Sequence, residues 1–198
     1  MLGLPSATEV GKRLPKEAFY RNLKLDKRTR DEFVRLIDRI TIANTVKPTT
    51  ANLADGQNVH EIMFLAVELK GGQAPMRAIE AIAKANPHKL VFRTLPDETT
   101  YVMRGGMHSA SGLGRIALTG PSMDEAWDSI VSQVVFGDVD GKGVDARIEL
   151  AKKRTELEKE IAVLDKRCRR ERQISKRNEL FGKLREKQAE LEALGKGE

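Results

Sequence analysis

The C-terminal stretch from Asp145 to Leu194 constrains the fold of this chain most, because charged residues and leucines alternate there at helical spacing. It contains no proline, and Gly182 is its only glycine. Its first half carries an apolar seam with the three-and-four spacing of packed helices, formed by Leu150, Leu157, Ile161, Leu164 and Cys168. The pattern predicts a helical, coiled-coil-like arm over residues 145–195, which follows a globular domain over residues 1–140.

A second apolar stripe lies in the second half of the arm, formed by Phe181, Leu184 and Leu191, with Ile174 and Leu180 nearby. The two stripes do not share one register, because steps of three and four from Cys168 reach polar residues and then Gly182. Either one helix continues with a phase shift, or the chain folds back near Arg170–Ile174 as an antiparallel hairpin that buries both stripes against each other. We favour the hairpin, because a single helix of about 50 residues would be roughly 75 Å long and would need a partner to cover its leucines.

A dense group of cations lies where the two stripes meet. It comprises Lys166, Arg167, Arg169, Arg170, Arg172, Lys176 and Arg177, with only Glu171 opposing them inside that span. Such a cluster binds phosphate groups or an acidic protein, or it is the solvated surface of a helix or bend. No aromatic side chain that could stack on bases lies within it, so any contact with nucleic acid there would be electrostatic and salt-dependent.

Length and composition limit the remaining possibilities. The chain has 198 residues and 40% hydrophobic residues, enough for one domain and an appendage. Its net charge is +6, and the residues from Asp145 onward hold +4 of it with 16 Lys/Arg against 12 Asp/Glu. The single cysteine excludes an intrachain disulfide. No apolar run approaches the roughly 20 residues of a membrane span, so we expect a cytoplasmic protein without a membrane partner.

The first part of the globular domain reads as helical. Residues 1–14 look irregular, and a short helix is expected to begin at Pro15. Asp26 can cap a second helix, which is expected to run to Lys47-Pro48 because its apolar residues recur at helical spacing at Phe33, Leu36, Ile37 and Ile40.

The middle of the domain predicts a sheet. Glu61 to Lys70 is apolar on both alternating faces, which is typical of a central strand covered by helices on both sides. A helix from Pro75 to Asn86 should connect it to a parallel neighbour at Lys89 to Leu95, and Thr99 to Arg104 should add an antiparallel strand.

We therefore expect an α/β domain with a mixed sheet, mainly antiparallel at its edges, and helices on both faces. The segment Gly105 to Gly114 reads as a flexible loop, and Arg115 to Thr119 as a short last strand. Ser122 and Glu125 form a capping box that should open a core helix.

One short motif suggests catalysis. Glu68-Leu-Lys70 has the Glu-x-Lys form of a large nuclease superfamily, in which carboxylates hold a metal and the lysine steadies the attacking water. Glu61, at the start of the same strand, is the nearest further carboxylate. The motif is three residues long and is also the form of an ordinary charged pair at a strand end, so Glu61, Glu68 and Lys70 are candidates for an alternative function only. We expect no metal and no cofactor.

The chain resembles an uncharacterised bacterial family known as a domain of unknown function. The matching features span most of the chain: Leu4-Pro5, Lys12 to Lys16, Phe19-Tyr20, Lys47-Pro48, Thr50 to Asn52, Glu61-Ile62 through Leu69-Lys70, Arg170 to Gln173 and Asn178 to Leu180. Members of that family are often encoded beside helicases and DNA methyltransferases of restriction-like defence islands. The resemblance implies an accessory role near DNA processing and brings no catalytic residues.

Three hypotheses about function follow. The first is a non-enzymatic interaction protein whose arm docks a partner of a DNA-processing or restriction-like assembly, such as a helicase or DNA methyltransferase, or self-associates. The second is a metal-dependent nuclease that uses Glu61, Glu68 and Lys70. The third is a direct nucleic-acid binder that uses the cations of Lys166 to Arg177.

Overall fold

A computed structural model describes residues 2–195 of the chain, which divides into two compact units, Met1–Val144 and Asp145–Glu198. The first unit contains a six-stranded sheet, with strands β1 (Glu9–Leu14), β2 (Ile37–Val46), β3 (Ile62–Leu69), β4 (Lys89–Leu95), β5 (Thr99–Met103) and β6 (Met107–Ser111). Its helices are α1 (Lys16–Asn22), α2 (Lys27–Arg35), α3 (Pro48–Ala51), α4 (Met76–Ala85) and α5 (Met123–Val135). The arm consists of α6 (Val144–Arg170) and α7 (Ile174–Gly195).

The strands lie in sequence order across the sheet, and every neighbouring pair is antiparallel except β3 and β4. That pair is parallel because α4 carries the chain back to the starting end of the sheet. The mixed sheet, the parallel pair and the antiparallel strand after it are as the sequence predicts.

Both faces of the sheet are covered. On one face α2 and α4 bury a cluster that includes Phe33, Leu65, Ile79 and Phe92. Because side chains alternate along a strand, Phe64, Val91 and Val102 are buried on the opposite face, where α5 contacts β5 and β6. The prediction of an α/β domain with helices on both faces is confirmed.

Two predicted helix starts are also confirmed. The Asp26 carboxylate accepts a hydrogen bond from the Thr29 backbone N–H at 2.7 Å and caps α2. At α5 the Ser122 hydroxyl accepts from the Glu125 N–H, and the Glu125 carboxylate accepts in return from the Ser122 N–H.

The helix expected to continue to Lys47-Pro48 is wrong beyond Arg35. Ile37–Val46 is strand β2, with Ile37, Ile40 and Val46 completely buried. Ile37 and Ile40 fit a helical stripe, but the β-branched residues after them alternate between buried and half-buried positions, and that favours a strand against β1 and β3.

Two predictions about the segment before α5 are also wrong. Met107–Ser111, expected in a flexible loop, pairs along its whole length with β5, after a turn in which the Arg104 N–H donates to the Gly106 carbonyl at 2.8 Å. Arg115 to Thr119 is not a strand. It is held by a side chain instead: the Gln133 amide accepts from the Ala117 N–H and donates to the Ala117 carbonyl, both at 2.9 Å.

A missed element is the edge strand β1. All of its residues except Leu14 are exposed, so no buried alternation marks it in the sequence. It forms because the outer edge of β2 offers backbone hydrogen-bonding groups, which are satisfied whatever the side chains are.

Candidate functional site

The arm is a pair of antiparallel helices. Two ion pairs join α6 to α7: Lys187 Nζ lies 3.0 Å from Glu160 Oε2, and Lys153 Nζ lies 3.6 Å from Glu190 Oε1. Lys153 precedes Glu160 on α6, whereas its partner Glu190 follows Lys187 on α7. This reversed order shows that the two helices run antiparallel. The predicted hairpin is confirmed, and a continuous helix is excluded.

The turn falls at the predicted place, between Arg170 and Ile174. The Gln173 N–H donates to the Glu171 carboxylate at 2.9 Å, and the Gln173 carbonyl accepts from the Arg177 N–H at 3.0 Å to begin α7. These local bonds satisfy backbone groups that the end of α6 and the start of α7 would otherwise leave unpaired.

The apolar seam holds the two helices together. Leu157, Cys168 and Leu184 are buried, and further seam residues are half-buried: Leu150, Ile161, Leu164, Leu180, Leu191 and Leu194. The ion pairs between the helices are exposed and screened by water, so they contribute little and the seam supplies most of the stability.

Two members of the second predicted stripe do not join this seam. Ile174 is 66% exposed and Phe181 is 45% exposed. At about 100° per residue, Phe181 lies roughly 60° round the helix from the buried Leu184, on the flank of α7. The prediction that the hairpin buries both whole stripes is therefore wrong for these two residues.

All seven predicted cations lie on the surface around the turn, and we call residues 162–182 the basic tip. Every one of the seven side chains is exposed. Arg169 forms an ion pair with Asp165, 2.8 Å away and one helical turn earlier. In the part of the chain that the structure describes, the other six form no ion pair: Lys166, Arg167, Arg170, Arg172, Lys176 and Arg177.

Outside the basic tip, most lysines and arginines of the arm form ion pairs. Lys152, Arg154, Lys183 and Lys187 each meet a glutamate within one turn of their own helix. The basic tip contains seven Lys/Arg against three Asp/Glu, a net charge of +4 that equals the excess of the whole arm. The arm is therefore electrically balanced along its length and strongly positive only at its end.

The three residues of the nuclease hypothesis are not brought together. Glu61 directly precedes β3 and is seven residues from Glu68, which places the two about 23 Å apart along the strand direction. The Glu61 carboxylate lies 3.8 Å from both Lys47 Nζ and His88 Nδ1, whereas Glu68 lies 3.6 Å from Arg39.

Lys70 has a structural role at the end of α2. Its ammonium donates to the Val34 carbonyl at 2.8 Å, and its backbone N–H donates to the Leu36 carbonyl. The Lys16 ammonium donates to the Ile37 carbonyl beside it. Burial, followed by the positive charge of Lys70, lowers the pKa of Lys16. Lys70 thus stabilises the negative end of α2, a role that the sequence did not reveal because the end of α2 was misplaced.

No alternative metal site appears in the part of the chain that the structure describes. Across residues 2–195, no three His, Cys, Asp or Glu side chains are grouped so that they could hold a metal ion. The nearest arrangement is an exposed pair in which His60 Nδ1 lies 2.9 Å from Asp55 Oδ1, and this hydrogen bond lowers the pKa of Asp55. A search of the same residues finds no helix that is both long enough and apolar enough to span a membrane.

Comparison with known families places the chain in one of them by sequence. Residues 2–103 and 106–191 match the family described as Domain of unknown function (DUF4391). The chain belongs to the DUF4391 family. The match covers the sheet as well as nearly all of the arm, so the basic tip is part of the region that defines this DUF4391 protein. No curated protein and no solved structure matches the chain.

Proposed function

We propose that this DUF4391 protein is a non-enzymatic interaction protein whose helical arm docks a partner protein. One observation carries the proposal: the basic tip leaves six cations without an ion pair beside exposed apolar side chains, whereas the rest of the arm pairs most of its charges. A hairpin whose seam already holds its own helices together does not need such a surface for folding. Surfaces of this kind are used for binding.

The kind of partner is proposed from the family resemblance. We propose a bacterial DNA-processing or restriction-like defence assembly in the cytoplasm, with a helicase or a DNA methyltransferase as the docked protein. The basic tip would provide the contact.

Direct binding of nucleic acid through the same seven cations is a second candidate. The net charge of +4 in the basic tip favours it. Binding of this kind would weaken steeply as salt rises, because each neutralised phosphate releases counterions. The nuclease is not carried forward, because Glu61 lies at the opposite end of β3 from Glu68 and Lys70.

Cross-linking inside the native host tests the first candidate. The tagged full-length chain is treated with a lysine-reactive reagent, and linked peptides are identified by mass spectrometry. Docking through the tip predicts recurrent links from Lys166 and Lys176 to one other protein. Lys12 and Lys89 of the globular unit serve as internal controls. They react with the same reagent but should give few links to the partner protein.

Two results would contradict this candidate. Links to other proteins that arise only from residues 1–144 would move the interface away from the arm. Links only between two copies of Lys166 or Lys176 would replace the partner protein with a second copy of the chain.

A further inference from the structure

One face of α7 carries apolar and cationic side chains in alternation. Ile174, Arg177, Phe181 and Arg185 follow one another at spacings of three, four and four residues, and all four are exposed. At about 100° per residue they lie within an arc of roughly 80°. We call these four residues the α7 stripe.

The apolar members of the stripe have no cover within the arm. Of the seven large apolar side chains that are markedly exposed in residues 2–195, the basic tip holds three: Val163, Ile174 and Phe181. Single exposed apolar residues are ordinary. Ile174 and Phe181 differ because they recur after seven residues, about 10.5 Å along the axis, which is the repeat with which one helix packs on another.

The cationic members of the stripe are also unpartnered. Arg177 and Arg185 form no ion pair with any residue in the described range 2–195. Nearby lysines behave differently: Lys183 meets Glu179 at 2.7 Å, and Lys187 meets Glu160 at 3.0 Å. The two guanidinium groups of α7 that lack an ion pair therefore lie on the face that also exposes Ile174 and Phe181.

We propose that the α7 stripe binds an acidic amphipathic helix of a partner protein. This inference rests on the proposed function and names the chemistry of the surface that the arm docks. The partner helix would place apolar side chains against Ile174 and Phe181, and carboxylates against Arg177 and Arg185. Bidentate pairing of guanidinium with carboxylate would fix the register, and burial of the two apolar side chains would supply most of the affinity.

Charge and shape select this occupant over two others. A second copy of the chain would set Arg177 and Arg185 against the same two arginines or against other cations of the tip, and like charges repel. The phosphate backbone of a nucleic acid would satisfy the arginines but would leave Ile174, which has no polar atom and no ring to stack, facing water. Only a partner that is both acidic and apolar uses all four side chains.

Fluorescence anisotropy with defined probes and the full-length chain tests the inference. The main probe is a labelled peptide of about 20 residues with leucines at three-and-four spacing and glutamates beside them, long enough to form a helix on binding. Three comparison probes are a scrambled peptide of the same composition, the same peptide with serine in place of leucine, and single-stranded DNA. The inference predicts that only the amphipathic acidic peptide binds well at about 0.15 M salt.

Substitutions with matched controls locate the site. Ile174→Ser with Phe181→Ser should weaken peptide binding about tenfold or more, whereas Val10→Ser, at an exposed apolar position on β1 outside the basic tip, should leave it unchanged. Arg177→Glu with Arg185→Glu should also weaken it about tenfold, whereas Lys159→Glu nearer the base of the arm should not. Phe181→Leu keeps the apolar character of its position and should retain most of the binding. Circular dichroism checks that each variant keeps the helical signal of the arm.

The inference fails if the scrambled or serine peptide binds as well as the amphipathic one, or if the two apolar substitutions have no effect. DNA binding that depends on the arginines but not on Ile174 and Phe181 would also overturn it and assign the tip to nucleic acid. These failures are distinguishable from failure of the proposed function. Cross-links from the arm to a native protein would still stand if the peptide did not bind, and absence of such links would count against docking itself.

Discussion

Truncation of Leu184 tests whether the seam holds the arm together. Leu184 is 6% exposed and lies opposite α6 in the middle of the hairpin. Replacement by alanine removes buried methyl and methylene groups and leaves a partly open cavity. We expect a cost of about 2–3 kcal/mol, at the low end for a buried leucine, because Leu180 and Leu191 beside it are only half-buried and can move to fill the space.

Hydrogen exchange measures this cost where it occurs. If the arm opens as a local unit, a loss of about 2–3 kcal/mol should raise exchange of its protected amides by roughly 30- to 150-fold, since about 1.4 kcal/mol corresponds to a factor of ten. The rise should appear in both helices, around Leu157 as well as around Leu184, because each covers the other.

The matched control is Val163→Ala, which removes apolar groups from a side chain that is 51% exposed. It should change arm exchange by less than about threefold, since surface substitutions stay within about 0.5 kcal/mol. Equal effects of the two substitutions, or a Leu184→Ala effect confined to α7, would refute the account of a shared seam.

Three further predictions concern other contacts. Lys70→Met should lower the free energy of unfolding by about 0.5–1 kcal/mol in urea titrations, because it removes the ammonium from the end of α2. The structural role would be contradicted if the wild type cleaved DNA with a metal and this substitution abolished the cleavage. Gln133→Ala should cost about 2 kcal/mol, because it removes the partner of both the N–H and the carbonyl of Ala117; a change below about 0.5 kcal/mol would contradict it. Hydrogen bonds from lysine ammonium groups lower the pKa of Glu179 and of Glu190 below the ordinary value of 4.5. The stability that these two carboxylates give the arm is therefore present above pH 4.5 and is lost as the pH falls through their folded-state pKa. A helical circular dichroism signal that rises on acidification would contradict this.

The elements that the sequence predicts correctly carry their signal locally. Strand β3 is apolar on both faces, and the capping box of Ser122 and Glu125 marks the start of α5. The fold-back of the arm could also be predicted, because the change of register after Cys168 is visible in the spacing of the apolar residues.

The elements that sequence reasoning missed depend on distant partners. Ile37 and Ile40 fit both a helix and a strand, and the neighbouring strands β1 and β3 decide between the two. Met107–Ser111 contains polar and small residues and becomes a strand because β5 offers it an edge.

Only part of the candidate site could be predicted, because the rest depends on how α7 packs on α6. The cations of the basic tip could be identified by their density in the sequence. The exposure of Ile174 and Phe181 could not, because the rotation of α7 is fixed by the residues that pack on α6, with Leu184 buried and Leu180 and Leu191 half-buried. The role of Lys70 depends on the place where α2 ends, which is decided by the strand that follows it.

The most direct test of docking through the arm is recovery of the cross-linked partner from the native host by quantitative affinity purification. Three full-length chains are compared at equal expression: the wild type, Ile174→Ser with Phe181→Ser, and Val10→Ser. We predict that the wild type and Val10→Ser recover the partner equally and that the double variant recovers about tenfold less or lower still. Equal recovery by all three chains would contradict the account.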